Sequence, residues 1–133
     1  MEPGISFRRI WAGRILSGLA VSFLLFDSII KLLGITPVLE SFGRLGYPVQ
    51  MSVGIGILEL ACVAAYVARP LSLPGAVLLT GFLGGAVASH VRIGDPLFSH
   101  VLFPTYVGTL LWVGLFLRDD RLRTLLTRKG ALR

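Results

Sequence analysis

The chain has 133 residues, of which 54% are hydrophobic and only 15% are charged, with a formal net charge of +6 and a mean hydropathy of +0.80. A soluble domain of this length needs a more polar surface, because a small body has a large surface relative to its volume, so the composition predicts an integral membrane protein. The single cysteine, Cys62, excludes an internal disulfide, a Cys-x-x-Cys thiol relay and a zinc site built from paired cysteines.

Four continuous apolar segments predict an all-α, polytopic membrane bundle of four transmembrane helices. In chain order they cover residues 11–33, 49–68, 71–91 and 101–117. A helix needs roughly 20 apolar residues to cross the ~30 Å hydrocarbon core, a length that the first three segments reach and the fourth nearly reaches. Residues 1–133 are therefore interpreted as a single integral membrane domain.

The first segment is interpreted as a membrane span rather than as a cleaved signal peptide. Its apolar stretch is too long for a signal peptide, it contains Asp27 and Lys31, and no small-residue cleavage site follows it. Because Asp27 and Lys31 are four residues apart, they lie on one face of the helix and can form an ion pair. A plain intrahelical ion pair and a role in a functional site are both open at this point.

The loop after the first span contains a pattern typical of a short helix. Thr36 followed by Pro37 fits a helix start, with a capping residue and a proline at the first helical position. Apolar residues then follow at helical spacing until Gly46 and Pro48 end the pattern. Residues 37–45 are therefore predicted to form a short interfacial helix in the first outer loop, lying on the membrane surface.

Glu59 lies at the middle of the second span, with no basic residue within one helical turn of it. A charged side chain at the centre of a span costs roughly 2.5–3.5 kcal/mol on insertion scales, and such residues are usually paired, face a cavity or act in function. Glu59 therefore needs Lys31, Arg92, a histidine or water as a partner, or must be protonated. A functional role is the preferred interpretation.

The third span carries small residues and ends in a polar cluster. Gly81, Gly84, Gly85 and Ala88 allow close helix contacts, and packing within the bundle is preferred over a homodimer contact. Beyond them, His90 closes the third span and His100 opens the fourth, with Arg92 and Asp95 in the loop between them. This loop either anchors the helix ends or contributes to a site.

These charged and polar residues all fall on the outer side of the predicted bundle, where they outline a candidate pocket. Its predicted lining comprises Asp27, Lys31, Glu59, His90, Arg92, Asp95 and His100. Glu59, Asp27, His90 and His100 are the candidate catalytic groups. A metal held by His90, His100, Glu59 and Asp95 is chemically feasible, but the spacing matches no established zinc motif, so no metal is predicted.

The basic residues predict that both termini lie in the cytoplasm. Ten lysines and arginines flank the spans on one side, whereas the other side has only Lys31, Arg44 and Arg92. Because basic residues are enriched on the cytoplasmic side of membrane proteins, the net charge is a topology signal and nucleic acid is not a predicted partner. The ten residues are Arg8, Arg9, Arg14, Arg69, Arg118, Arg121, Arg123, Arg128, Lys129 and Arg133.

Three segments resemble bacterial DoxX-like membrane proteins: residues 18–33 (GLAVSFLLFDSIIKLL), 56–66 (GILELACVAAY) and 79–112 (LTGFLGGAVASHVRIGDPLFSHVLFPTYVGTLLW). The stretch 81–104, with its small residues, His-Val-Arg, Gly-Asp-Pro and second histidine, is the most specific part. The resemblance implies a four-helix bundle in the bacterial cytoplasmic membrane. It also implies kinship with subunits linked to quinone and thiosulfate oxidation and with proteins of oxidative-stress complexes.

Three functions fit these observations. The first is a binding or accessory subunit of membrane redox chemistry, which would hold a quinone or another lipophilic ligand by its polar head. The second is a small membrane enzyme doing acid–base chemistry, such as isomerisation, on a lipophilic substrate. The third is a small-solute or proton pathway. The first is the prediction, with the lipid bilayer and either a second copy of the chain or a membrane redox protein as partners.

Overall fold

The computed structural model describes residues 3–127, with side chains from residue 6 onwards. This part of the chain is helical and contains no strand. Arg128, Lys129 and Arg133 of the predicted basic cluster lie outside the described residues. The helices are α1 (Pro3–Leu33), α2 (Thr36–Leu45), α3 (Met51–Val67), α4 (Ser72–Arg92), α5 (Phe103–Arg118) and α6 (Asp120–Thr127).

The four long helices form a bundle in which α1 and α4 lie on opposite sides. Each of these two helices packs against both α3 and α5. Because successive bundle helices run in opposite directions, each of these neighbouring pairs is antiparallel, as expected from short connections. Leu24, Val63, Leu79, Leu111 and Leu115 are almost completely buried between them. One end of the bundle carries α2 and residues 93–102 and is called the α2 end. The opposite end carries α6 and is called the α6 end.

Three helical segments are long and apolar enough to cross a membrane: Ser6–Leu33, Arg69–Arg92 and Leu97–Arg118. The fourth, Met51–Val67, is apolar but has only 17 residues. Large apolar side chains such as Phe26, Ile57 and Val77 are exposed on the outside of the bundle, while Glu59 and Ser28 are buried inside it. An apolar surface around a partly polar interior is the arrangement expected of helices in lipid.

The closest helix contacts lie at glycines that the sequence pattern does not single out. A β-carbon on Gly13 would lie 2.7 Å from the carbonyl oxygen of Gly114, where α1 meets α5, and a β-carbon on Gly75 would lie closer still to the backbone of α3. By contrast, a β-carbon on Gly81, Gly84 or Gly85 would meet no atom of the described residues within 4 Å. The bundle-packing role predicted for these three glycines is therefore wrong, because they border open space.

Polar contacts join the helices at the α6 end. The Tyr66 hydroxyl donates to the carbonyl of Leu111 at 2.7 Å and lies 2.9 Å from the Ser17 hydroxyl, which also accepts a hydrogen bond from Arg118. The basic stretch after α5 forms α6, a helix that the apolar pattern of the sequence does not predict. Asp120 of α6 forms an ion pair with Arg9 of α1, with a distance of 3.0 Å between Oδ1 and Nη2.

Candidate functional site

Asp27, Lys31 and Glu59 form a network of ion pairs between α1 and α3. The Lys31 ammonium donates to Asp27 Oδ2 at 2.6 Å and to Glu59 Oε2 at 2.8 Å. The Glu59 side chain is 0% exposed, whereas the Asp27 side chain keeps 30% of its exposure. The cross-helix partner that Glu59 requires is therefore Lys31, which bridges a covered carboxylate and an accessible one.

The close approach of α3 to α1 places Glu59 within reach of Lys31. Gly56 lies about one turn before Glu59, and a β-carbon on it would lie 3.1 Å from the Ser28 carbonyl oxygen and 3.1 Å from the Lys31 β-carbon. Ser52, one turn further back, donates its hydroxyl to the Lys31 carbonyl at 2.8 Å. Small residues on one face of α3 thus bring the two backbones together, as they do in other membrane bundles.

A cavity of about 460 Å³ lies beside this network, inside the α2 half of the bundle. Its volume falls within the ~300–1,000 Å³ that is usual for small-molecule sites. The Asp27, Lys31, Glu59 and His90 side chains border it, and α2 contributes Ser41 and Phe42. The remaining wall is mostly apolar and includes the aromatic rings of Phe23, Phe82 and Phe103.

His90 reaches the cavity from α4 and is held by Asp95. The His90 Nδ1 atom lies 2.5 Å from Asp95 Oδ2, and Arg44 of α2 donates to Asp95 Oδ1 at 2.6 Å. The hydrogen bond with His90, together with that from Arg44, lowers the pKa of the Asp95 carboxyl. A lowered pKa means that the contribution of these contacts to stability is present at neutral pH and is lost as the pH falls through that pKa.

The other predicted pocket residues lie beside His90 or against α2, and they do not border the cavity. The His100 ring packs edge-on against the His90 ring, with centroids 6.0 Å apart, and its Nδ1 atom lies 2.8 Å from the Ser99 hydroxyl. Arg92 donates to the carbonyl of Leu45 at the end of α2. Arg92, Asp95 and His100 thus surround the cavity-lining groups, because α2 folds over the end of the bundle.

Sequence reasoning missed several cavity residues. Tyr47 and Ser89 share a hydrogen bond of 2.8 Å between their hydroxyls, and the Lys31 ammonium lies 5.2 Å from the centroid of the Phe82 ring. Ser89 precedes His90 in the sequence, which is a weak signal. No spacing in the sequence connects Tyr47, in the loop after α2, with α4.

A second, more open groove of about 420 Å³ lies between α4 and α5 on the outside of the bundle. Its wall includes Gly84, Thr80 and Trp112, with the Trp112 indole donating to the Thr80 hydroxyl at 2.7 Å, and no titratable side chain borders it. Within the described residues, no three His, Cys, Asp or Glu side chains lie close enough together to hold a metal ion.

Comparison with known proteins identifies one family. A sequence profile of the DoxX-like family matches residues 15–114, a range that includes all seven predicted pocket residues. The curated proteins and the solved structures contain no match to this chain. The family match, taken with the three apolar helices, makes this a multi-pass membrane protein.

Proposed function

The chain belongs to the DoxX-like family, and we propose that its cavity binds the polar head of a lipophilic molecule as part of membrane redox chemistry. The observation that carries this proposal is the position of the ion-pair network of Asp27, Lys31 and Glu59 at the wall of a largely apolar cavity. A membrane protein that needed only stability would gain more from apolar packing there, because burying charges is costly even when they are paired.

The lipophilic molecule expected from the family resemblance is a quinone, and the role is that of a binding or accessory subunit. The aromatic walls suit a ring, and the charged groups suit a polar head. On this proposal, a redox partner in the same membrane exchanges electrons with the bound molecule, because the described side chains include no redox-active pair of cysteines.

Filling the cavity tests this proposal. Gly81 borders the cavity, whereas Gly84, on the same helix, borders the outer groove. Purified Gly81→Leu protein should lose most of the lipophilic compound that organic solvent extracts from the wild type, because the added side chain occupies the space for the ligand. Gly84→Leu protein should retain it. Mass spectrometry of the extracts measures both, and equal retention by the two variants would contradict a ligand in this cavity.

We also propose that all four bundle helices cross the membrane, with α2 at the outer surface and both termini in the cytoplasm. The 17 residues of α3 lie at the lower limit for a span, about 17–25 residues, and α3 packs between two helices that are long enough. The excess of basic residues that the sequence predicts on one side of the spans supports the orientation. The amphipathic α2, with Val38 and Phe42 buried, suits a membrane surface.

Cysteine labelling tests this topology. Glu40 on α2 and Thr124 on α6 are both exposed, whereas the native Cys62 is buried. In intact cells a membrane-impermeant maleimide should label Glu40→Cys protein, leaving Thr124→Cys and unmodified protein unlabelled. Thr124→Cys should react only after the cells are opened. Labelling of Thr124→Cys in intact cells would reverse the proposed orientation.

A second candidate function is acid–base catalysis on a bound lipophilic substrate, and the pair of His90 and Asp95 favours it. Asp95 holds the His90 Nδ1 atom, which orients the ring and directs Nε2 away from Asp95, and His90 borders the same cavity as Asp27. A base oriented by a carboxylate is a recurrent catalytic arrangement. Turnover by the isolated protein, without a redox partner, would distinguish this function from the first.

A further inference from the structure

The polar atoms that remain free at the cavity wall are nearly all hydrogen-bond acceptors. We infer that the cavity selects lipophilic molecules whose head group donates hydrogen bonds, a hydroxyl or an ammonium, over molecules whose head group only accepts them. This inference rests on the proposed function, since it specifies the ligand of the same cavity. The reason is that the polar groups of the wall use most of their donor hydrogens within the protein, whereas several of their acceptor atoms stay unused.

The donor capacity of Lys31 is largely used inside the protein. Its ammonium has three hydrogens, and two of them are directed at Asp27 and Glu59. The centroid of the Phe82 ring lies 5.2 Å from Nζ, in the range of a cation–π contact. A ligand head therefore meets a cation that has at most one hydrogen left to donate.

The hydroxyl hydrogens of Tyr47 and Ser89 are used in the same way. Ser89 donates to the carbonyl of Gly85 at 2.8 Å. Because a hydroxyl has one hydrogen, Tyr47 must be the donor in its 2.8 Å contact with Ser89. Ser41 also borders the cavity, but its hydroxyl can donate or accept and does not discriminate between ligands.

Acceptor atoms, by contrast, remain unused. Lys31 contacts only Oδ2 of Asp27, whose side chain is 30% exposed. Oε1 of the fully covered Glu59 has no hydrogen-bond partner among the described residues. When ionised Asp95 accepts the Nδ1 hydrogen of His90, Nε2 of the neutral ring is an acceptor. A ligand head enters against Asp27 first, and a donor placed there satisfies a carboxylate oxygen.

The formal charges add a preference between the two kinds of donor. Asp27 and Glu59 together have two carboxylates against the single ammonium of Lys31, while Asp95 is compensated by Arg44 beside it. An ammonium head would balance the remaining negative charge, whereas a carboxylate head would add to it. If the ligand is a quinone, its reduced form is retained, because hydroquinone hydroxyls donate and quinone carbonyls only accept.

A series of ten-carbon probes with different heads tests the inference. Decylamine, decanol, decyl methyl ether and decanoate are titrated into the purified full-length protein at neutral pH, and affinity is obtained from the increase in melting temperature with concentration. Decylamine and decanol should bind at least about tenfold more tightly than the ether and decanoate, because one hydrogen bond to a charged group contributes a difference in affinity of that order. Tighter binding of decylamine would identify an ammonium as the natural head, and tighter binding of decanol a hydroxyl.

Variants locate the preference at the cavity. In Asp27→Asn protein, in which Lys31 keeps Glu59 as a partner, the four affinities should converge to within about twofold. Glu40→Gln removes the same charge from an exposed position on α2 and should leave the preference intact. Equal binding of all four probes by the wild type, or a preference for the ether or decanoate, would overturn this inference alone. Absence of binding by every probe would overturn the proposed function with it.

Discussion

Replacing Lys31 by methionine is expected to lower the free energy of unfolding by about 3–5 kcal/mol. The change removes the cation from Glu59, whose side chain is completely buried and has no other hydrogen-bond partner in the described part of the chain. Methionine keeps nearly the length of the side chain, so the loss reports the uncompensated carboxylate rather than missing volume. Chemical unfolding of the purified protein in mixed micelles measures the effect.

Two further variants make this result specific. Glu59→Gln alone should cost little, because Lys31 keeps its 2.6 Å contact with Asp27 and a neutral amide is easier to bury than a carboxylate. Added to Lys31→Met, it should restore most of the lost stability. Arg44→Met, which breaks an ion pair whose cation is 52% exposed, should cost at most about 1 kcal/mol. A loss of under about 1 kcal/mol for Lys31→Met would contradict the assigned network.

Glu59→Gln also separates a functional role of Glu59 from a structural one. If the carboxylate serves the ligand, the variant stays folded but its solvent extract contains less of the bound compound, because a charged group at the cavity wall is lost. Protein that unfolds more easily yet retains its ligand would instead assign Glu59 to the structure of the bundle.

Gly75→Ala is expected to destabilise the protein by about 3 kcal/mol, the upper end of the usual range for overpacking. The new methyl group would lie 2.6 Å from the Tyr66 α-carbon and 2.8 Å from the Ala65 carbonyl carbon. Both are backbone atoms of α3, which cannot rotate away as a side chain can. The two helices must separate, and the hydrogen bonds of Tyr66 with Ser17 and Leu111 weaken as a result.

Gly84→Ala is the matched control for this prediction. Gly84 lies in the same helix, and within residues 6–127 no atom would lie within 4 Å of a β-carbon on it. Its unfolding free energy should stay the same or rise slightly, because alanine favours the helix. Thermal unfolding in detergent measures both variants, and similar melting temperatures for the two would contradict the close approach of α4 to α3 at Gly75.

The sequence alone anticipates the elements of this fold well. Long apolar runs predict helices whatever their neighbours, because each span satisfies its own backbone hydrogen bonds. The predicted short helix at residues 37–45 corresponds to α2, Thr36–Leu45, since Pro37 and Gly46 act locally. The pairing of Asp27 with Lys31 is also local, as it needs only the four-residue spacing of one helix face.

Contacts between helices could not be predicted in the same way. The glycine pattern of α4 suggested close packing at Gly81, Gly84 and Gly85, yet the close contact is at Gly75. Sequence spacing describes which residues share a face of a helix, but it does not determine which neighbour that face meets. The three glycines instead border the cavity and the outer groove.

The sequence by itself determined the family, the apolar helices and the set of ionisable residues in and beside them, since composition and local spacing carry these features. Only the tertiary structure decided which of these ionisable residues line the cavity and which lie outside it. Lys31 reaches Glu59 because Gly56 brings α3 against α1, and the fold of α2 over the bundle places Arg92 outside the cavity. The physical reason is that a buried charge selects its partner by distance in space, and residues 28 positions apart become neighbours only when the helices pack.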